Sequence, residues 1–206
     1  MTRLVLIRHG EARGAVDQIV ADHNSCQGLS PKGFEQARAL HDRLTRTGEL
    51  ADAAVLYASI LPRAIQTAEA IAPAIGDLDI ETHCDLCEIH QGEADGITWE
   101  EFRERYEPPD WSAETQHRPW APGGESWAEF TTRVGRQLWE LTRKHEDQTI
   151  VIACHGGIIA ASFQVLGNLP MWRSFDMQAE NTSLTEWTFR DGRWMLVRYN
   201  DAAHLL

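Results

Sequence analysis

Leu4-Val5-Leu6-Ile7-Arg8-His9-Gly10-Glu11 decides how the rest of the chain is read. Four apolar, mostly branched residues in a row predict a short strand buried on both faces. The run stops at Arg8-His9-Gly10, so a cation and an imidazole fall at the strand's carboxyl end. In open α/β sheets ligands bind at that edge. Gly10 would let the backbone turn sharply and approach a ligand closely. A histidine so placed can serve as nucleophile, base or metal ligand, and Arg8 beside it suggests an anionic substrate. Three residues alone are also compatible with an ordinary strand end, so the remaining chain has to decide.

Working outward, the frame is that of one globular domain. The 206 residues are 43% hydrophobic and 24% charged, enough to build a core. A net charge of −12 argues against non-specific binding to nucleic acid or to an anionic membrane, both of which need basic patches. No apolar run reaches membrane-spanning length, and Leu4–Ile7 is too short for the core of a signal peptide. Four irregularly spaced cysteines make no disulfide framework, and a reducing cytoplasm is the expected setting.

Residues 12–27 read as a polar loop. Ser30 as N-cap and Pro31 at the first position open a helix, with Phe34, Ala37, His41 and Leu44 on one face and Gly48 as its stop. Ala53 to Tyr57 reads as a second strand. A helix follows from the Ser59–Pro62 region, with Leu61, Ile65, Ala68, Ala72 and Ile75 on its apolar face and Gly76 at its end. Arg63 then falls in the first turn, where the helix dipole disfavours a cation. An anion held by Arg63 and the free amides would resolve the conflict. Ile80 to Thr82 suggests a short strand.

Next, Cys84-x-x-Cys87 flanked by His83 and His90 has the composition of a zinc site. Four ligands within eight residues are cramped, however, and the sequence offers no second paired half, so no metal is assigned. Glu88 in the same stretch is the competing candidate for chemistry. Trp99 to Tyr106 predicts a helix, followed by a segment rich in proline and tryptophan that contains Trp111, Arg118 and Trp120. Glu125 to Lys144 is a long amphipathic helix with Trp127, Phe130, Val134, Leu138 and Leu141 on one face, and Gly123-Gly124 before it would bring backbone amides to the pocket. Thr149 to Cys154 is the clearest buried strand. It ends in His155-Gly156-Gly157 and leads into an apolar helix over Ile158 to Leu166, repeating the pattern of the first strand. Thr182–Phe189 and Trp194–Tyr199, split by Asp191-Gly192, read as a terminal hairpin.

Taken together, Arg8-His9-Gly10-Glu11, Leu29-Ser30-x-x-Gly33-x-x-Gln36-Ala37 and Ser59-x-Leu61-x-Arg63-Ala64-x-Gln66-Thr67-Ala68 resemble the histidine phosphatase, or phosphoglycerate mutase-like, superfamily. Leu86-x-Glu88-x-x-x-Gly92-Glu93 is similar to that family's acid-bearing loop. Pro122-Gly123-Gly124-Glu125-Ser126, Cys154-His155-Gly156-Gly157 and Asn181-x-Ser183 follow in the family's order, with Cys154 where serine is common. The resemblance implies an α/β three-layer sandwich, a mostly parallel central sheet flanked by helices, with a lid-like insert at 97–121 in a single domain. After Glu11 the chain departs from the family's pattern: Ala12 and Arg13-Gly14 stand where threonine and a Trp-Asn pair are usual.

The resemblance also implies a mechanism. His9 would attack phosphorus and form a phosphohistidine. Arg8, Arg63, His155 and the Gly156 backbone would hold the phosphate, and Glu88 would protonate the leaving alkoxide and then activate water. Neither metal nor cofactor is implied. Glu11, Ser30, Arg105 and Trp120 are the candidates for the substrate side. The partner expected is a small-molecule phosphomonoester, and a homodimer is compatible with the sequence. Mutases of the family carry Glu-Arg-x-Tyr-Gly around the acid and Arg-Arg-Ser-Tyr later on. Here Glu88 is followed by Ile89-His90-Gln91-Gly92, and only Arg105-Tyr106 faintly resembles the second element, which favours a phosphatase. A phosphoglycerate mutase and a noncatalytic phospho-ligand-binding protein are the alternatives.

Overall fold

The computed structural model describes residues 1–206. The chain runs β1 (Thr2–Arg8), α1 (Arg13–Val16), α2 (Pro31–Thr47), β2 (Ala53–Ser59), α3 (Pro62–Ile71), β3 (Ile80–His83), α4 (Trp99–Arg105), α5 (Trp127–Lys144), β4 (Thr149–Cys154), α6 (Gly156–Gly167), β5 (Leu184–Arg190) and β6 (Arg193–Asp201). The strands form one sheet in the order β3-β2-β4-β1-β5-β6. β3, β2, β4 and β1 are mutually parallel, whereas β5 pairs antiparallel with β1 and β6 antiparallel with β5.

Strand alternation explains the three layers, since successive side chains leave opposite faces of a sheet. Leu4 and Leu6 join Ile150, Ile152 and the apolar faces of α5 and α6 in one core. Val5 and Ile7 join Val151, Ala153 and the faces of α2 and α3 in the other. Every residue from Leu4 to Ile7 is fully buried, as the unbroken apolar run requires. No helix is long and apolar enough to cross a membrane, and all four cysteines are free.

Helix ends follow their local chemistry. The Ser30 side chain accepts a hydrogen bond from the Gly33 amide, Pro31 takes the first position, and Gly48 closes α2 in the left-handed conformation. Ser126 and Glu129 form a reciprocal capping box on α5, as Thr98 and Glu101 do on α4.

Several expectations are corrected. The buried face of α2 is Gly33, Ala37, Leu40 and Leu44, and Phe34 is 49% exposed. Leu40 lies a helical step from both Ala37 and Leu44, so the inward stripe passes through it rather than through Phe34 and His41. Residues 12–27 are not wholly irregular, since α1 forms one short turn. α5 starts at Trp127 because Ser126 is its cap, and α6 starts at Gly156, two residues before the apolar run.

Candidate active site

Strand register assembles the site. β1 and β4 pair in parallel with Arg8 opposite Cys154, so the next residues, His9 and His155, emerge side by side at the carboxyl edge. The His9 amide donates to the Cys154 carbonyl at 2.9 Å, and the two imidazoles stand edge to face with centroids 5.1 Å apart. β2 contributes from the other side of β4. It ends at Ser59, whose hydroxyl accepts from the Leu61 amide at 3.1 Å, and α3 then begins with Pro62 and Arg63.

The hydrogen bonds assign the His9 tautomer. Nδ1 lies 2.6 Å from the Gly10 carbonyl, which can only accept, so Nδ1 carries the proton. Nε2 therefore presents a lone pair, to which Arg63 Nε donates at 3.2 Å. The backbone is fixed as well: Asn181 Nδ2 donates to the His9 carbonyl at 2.9 Å, and the Gly10 amide donates to Thr67 Oγ1. Arg63 also donates to the Ala21 carbonyl and the Cys26 sulfur, both at 3.2 Å. Arg8 donates to the Ala179 carbonyl, and its Nε is buried without a partner. Both ring nitrogens of His155 are likewise buried and unpartnered.

Burial pushes the His9 pKa well below its ordinary value, and the Arg63 and Arg8 charges push the same way, against the Gly10 carbonyl. His155 is held low by burial and by Arg63, His9, Arg8 and Arg133. Burial also lowers Arg8, with Arg63 adding to the effect and Glu88 and Glu180 opposing it. A dianion between these groups would relieve all three penalties at once, because it supplies the charge the cations lack.

Glu88 approaches from the loop after β3. Its Oε2 accepts from the Gly157 amide at 3.0 Å, and its Oε1 from the Ile89 amide at 3.1 Å. The carboxylate thus rests on the amino end of α6, where the dipole favours it. Arg133 on α5 holds this loop from behind. It donates to the carbonyls of Asp85, Cys87 and Glu88 and pairs side-on with Glu125 at 2.6 and 2.7 Å.

Arg8, Arg63, Glu88, Gly156 and Gly157 line one cavity of about 550 Å³, within the usual range for small-molecule sites. Its outer wall comes from Trp99, Trp111, Trp120 and Trp127, with Ile19, Val20, Ile89 and Arg173. Phe102, Trp120, Trp111 and Trp127 stack in succession at centroid spacings of 4.9, 5.0 and 5.2 Å, and the Arg173 guanidinium sits 5.4 Å from the Trp111 ring.

Among the substrate-side candidates only Trp120 lines this cavity. The Glu11 carboxylate is engaged by the Ser30 hydroxyl at 2.8 Å and Lys32 at 3.1 Å, and Ser30 caps α2. Arg105 pairs with Glu101 on the exposed side of α4. Three glycine readings change too. The Cβ space of Gly10 is filled by the Gly33 backbone, so the close approach is to α2 and not to a ligand. Gly124 packs against His90 and Gln91 in the same way, and Gly123 lines a different cavity. Of α3 only Arg63 lines the cavity, and the Ala64 and Ile65 amides already bond the Leu61 carbonyl, whereas α6 contributes Gly156 and Gly157 to the lining.

Sequence reading missed Arg133 and Arg173. Arg133 had a signal, being a cation between Phe130 and Val134 on an apolar helix face, with only 10% of its side chain exposed. Arg173 had none, since nothing near it in sequence marks a pocket.

Comparison with known proteins identifies the class. The family model of the histidine phosphatase superfamily (branch 1) matches residues 4–202, and the chain belongs to that superfamily. It is a phosphatase, a phosphomonoester hydrolase. Among its relatives is a metal-independent phosphoserine phosphatase of Arabidopsis thaliana, 30% identical over 213 residues, covering 100% of this chain and 84% of the relative. Phosphoserine phosphatase 1 of Hydrogenobacter thermophilus is 29% identical, covering 100% and 95%. Among solved structures, a phosphoserine phosphatase variant from Entamoeba histolytica in complex with phosphoserine superposes with a TM-score of 0.82 at 27% identity, covering 100% of both chains. A mycobacterial glucosyl-3-phosphoglycerate phosphatase reaches 0.79 at 28% identity, covering 97% and 99%.

Proposed function

We propose that the chain hydrolyses a small phosphorylated metabolite in a reducing cytoplasm through a phosphohistidine on His9. The observation that carries this is the neutral His9 ring, with Nδ1–H tied to Gly10 and the Nε2 lone pair facing Arg63. When a phosphate enters, the Arg63 N–H transfers from that lone pair to a phosphate oxygen, and Nε2 is freed to attack. Glu88 takes up a proton together with the incoming phosphate dianion; Nε2–P then forms as the P–O bond to the leaving group breaks, and Glu88 gives that proton to the departing alkoxide. Arg8, Arg63, His155 and the Gly156 amide hold the equatorial oxygens through the transition state, while the Gly157 amide keeps Glu88 in place. Water then attacks phosphorus while Glu88 takes its proton, Nε2–P breaks, and inorganic phosphate leaves.

For the leaving group, the cavity offers flat aromatic walls and one cation, Arg173. That favours a leaving group carrying a carboxylate on a compact body. Phosphoserine, the ligand in the Entamoeba structure, is one such ester, and 3-phosphoglycerate, bound in a second Entamoeba structure, is another. The 97–121 segment acts as a cap, since Phe102, Trp99 and Trp120 pack with Val20, Ala94 and Ala121 into a small core above the cavity.

Phosphate release from a panel of phosphomonoesters that includes these two, measured in EDTA and beside His9→Ala, tests the reading. Release that survives EDTA and disappears in His9→Ala is expected. Interconversion of 2- and 3-phosphoglycerate without release would make the protein a mutase. Binding without turnover of any ester would make it a phospho-ligand-binding protein.

A further inference from the structure

A second cavity, about 270 Å³, opens beside the active site and is lined by Asp22, His23, Cys84, His90 and Asp95 among others. None of these side chains touches the phosphate pocket, and the chemistry proposed above uses none of them. Asp22, His23 and His90 present one ligand atom each within 4.8 Å of one another. Asp22 Oδ1 is 2.9 Å from His23 Nδ1, Asp22 Oδ2 is 3.7 Å from His90 Nδ1, and the two imidazole centroids are 4.7 Å apart.

Two observations point beyond a plain His–Asp contact. The Asp22 carboxylate is only 6% exposed, yet Oδ1 has no hydrogen-bond partner of acceptable geometry. His90 Nδ1 is buried and unpartnered as well. Buried polar atoms are ordinarily satisfied, so each orphan needs an explanation. A cation between them satisfies both. Zinc with bonds of about 2.0–2.1 Å places ligand atoms about 3.3 Å apart, so the set closes by side-chain adjustment alone.

We infer that Asp22, His23 and His90 form a site for a borderline divalent cation of the zinc class. His23 binds through Nδ1, and its Nε2 faces the Cys84 sulfur at 3.5 Å, an outer-shell contact of the kind that orients metal-bound histidines. A second arrangement, His23 with Cys84 and Cys87, is also close enough. It is disfavoured because Cys87 lies fully buried, accepts from the Ser59 hydroxyl at 3.4 Å and does not line the cavity. Of the two histidines that flank the Cys-x-x-Cys pair in sequence, His90 belongs to the first set, while His83 accepts from the Asp85 amide at 3.2 Å, outside both.

Such an ion would tie the 20–26 loop to the 88–95 loop. Both loops border the substrate cavity, through Val20 and Ala21 on one side and Glu88, Ile89 and Gln91 on the other. The site therefore suits a structural or regulatory metal, distinct from the metal-free hydrolysis.

The test is zinc titration of the untagged full-length chain by calorimetry, with His23→Ala, His90→Ala and His83→Ala beside it, and cobalt spectra as a second readout. One equivalent of zinc is expected, with affinity falling at least about tenfold in His23→Ala and His90→Ala and unchanged in His83→Ala. Cobalt should give weak visible bands without thiolate charge transfer. Three results would overturn the assignment: no saturable binding, binding indifferent to His23 and His90, or an intense thiolate–cobalt band lost in Cys87→Ser. Because neither readout involves turnover, failure here is separable from failure of the phosphatase mechanism.

Discussion

Gly157→Ala tests the placement of Glu88 more sharply than removing the carboxylate would. A Cβ at Gly157 would overlap Glu88 Oε1 and stand 3.0 Å from Cδ and 3.1 Å from Phe130 Cζ. Carbon atoms in contact prefer about 3.5–4.0 Å, so the carboxyl group must retreat by roughly 0.5–1 Å and its oxygen by more. Phe130 is fully buried and cannot yield in its place. A displacement of about 1 Å in a catalytic group can cost about 100-fold, near 2.7 kcal/mol of barrier. Folding should change little, because alanine in a helix gains about 0.5–1 kcal/mol over glycine and offsets the local crowding. The assay is steady-state hydrolysis of an alkyl phosphate and of p-nitrophenyl phosphate. The alkyl ester, whose leaving group needs a proton, should lose about 100-fold in kcat. The nitrophenyl ester should lose far less. Wild-type kcat on the alkyl ester would refute the role given to Glu88, and equal losses on both esters would refute its role as proton donor.

Other consequences are independent of that one. Burial drives the His204 pKa down from 6.5 to about 4. The unfolded chain then takes the proton first, so stability is whole above about pH 6.5 and is lost as pH falls toward 4. Urea midpoints across that window should drop, and less steeply in His204→Gln. Arg43→Ala leaves Glu49 and Asp201 without the guanidinium that holds them at 2.7 and 2.6 Å. Because the acids are partly exposed, about 1–3 kcal/mol should be lost in chemical denaturation, less than for a fully buried pair. Gly92→Ala is expected to be worse, at more than about 2 kcal/mol: Gly92 has a φ of +57°, and its added Cβ would meet the backbone of Pro122, Gly123 and Gly124, which has no flexible end to move. Trp120→Ala opens the aromatic stack between Phe102 and Trp111, and initial-rate kinetics should show KM rising more than kcat falls.

Sequence by itself determined whatever depends on residues close together in the chain. The apolar runs at Leu4–Ile7 and Thr149–Cys154 read as buried strands because they are short, rich in branched side chains and bounded by polar residues, which suits a strand covered on both faces. Ser30, Pro31 and Gly48 bounded α2 because capping is local chemistry. His9, Arg8, Arg63, Glu88 and His155 were legible as site candidates because each stands at a strand end, a helix start or a distinctive loop. What brings His9 beside His155 is register, Arg8 opposite Cys154, a relation between residues 146 positions apart that no local pattern encodes. The same holds for Arg133 behind Glu88 and for Arg173 over Trp111. It holds most plainly for His23, which lies 61 residues before Cys84 and yet stands 3.5 Å from its sulfur. Helix faces were legible only to within one step, as Phe34 shows, because the last choice of which side turns inward is made by the partner surface. Local propensity selects the elements. Long-range packing selects which of their side chains meet.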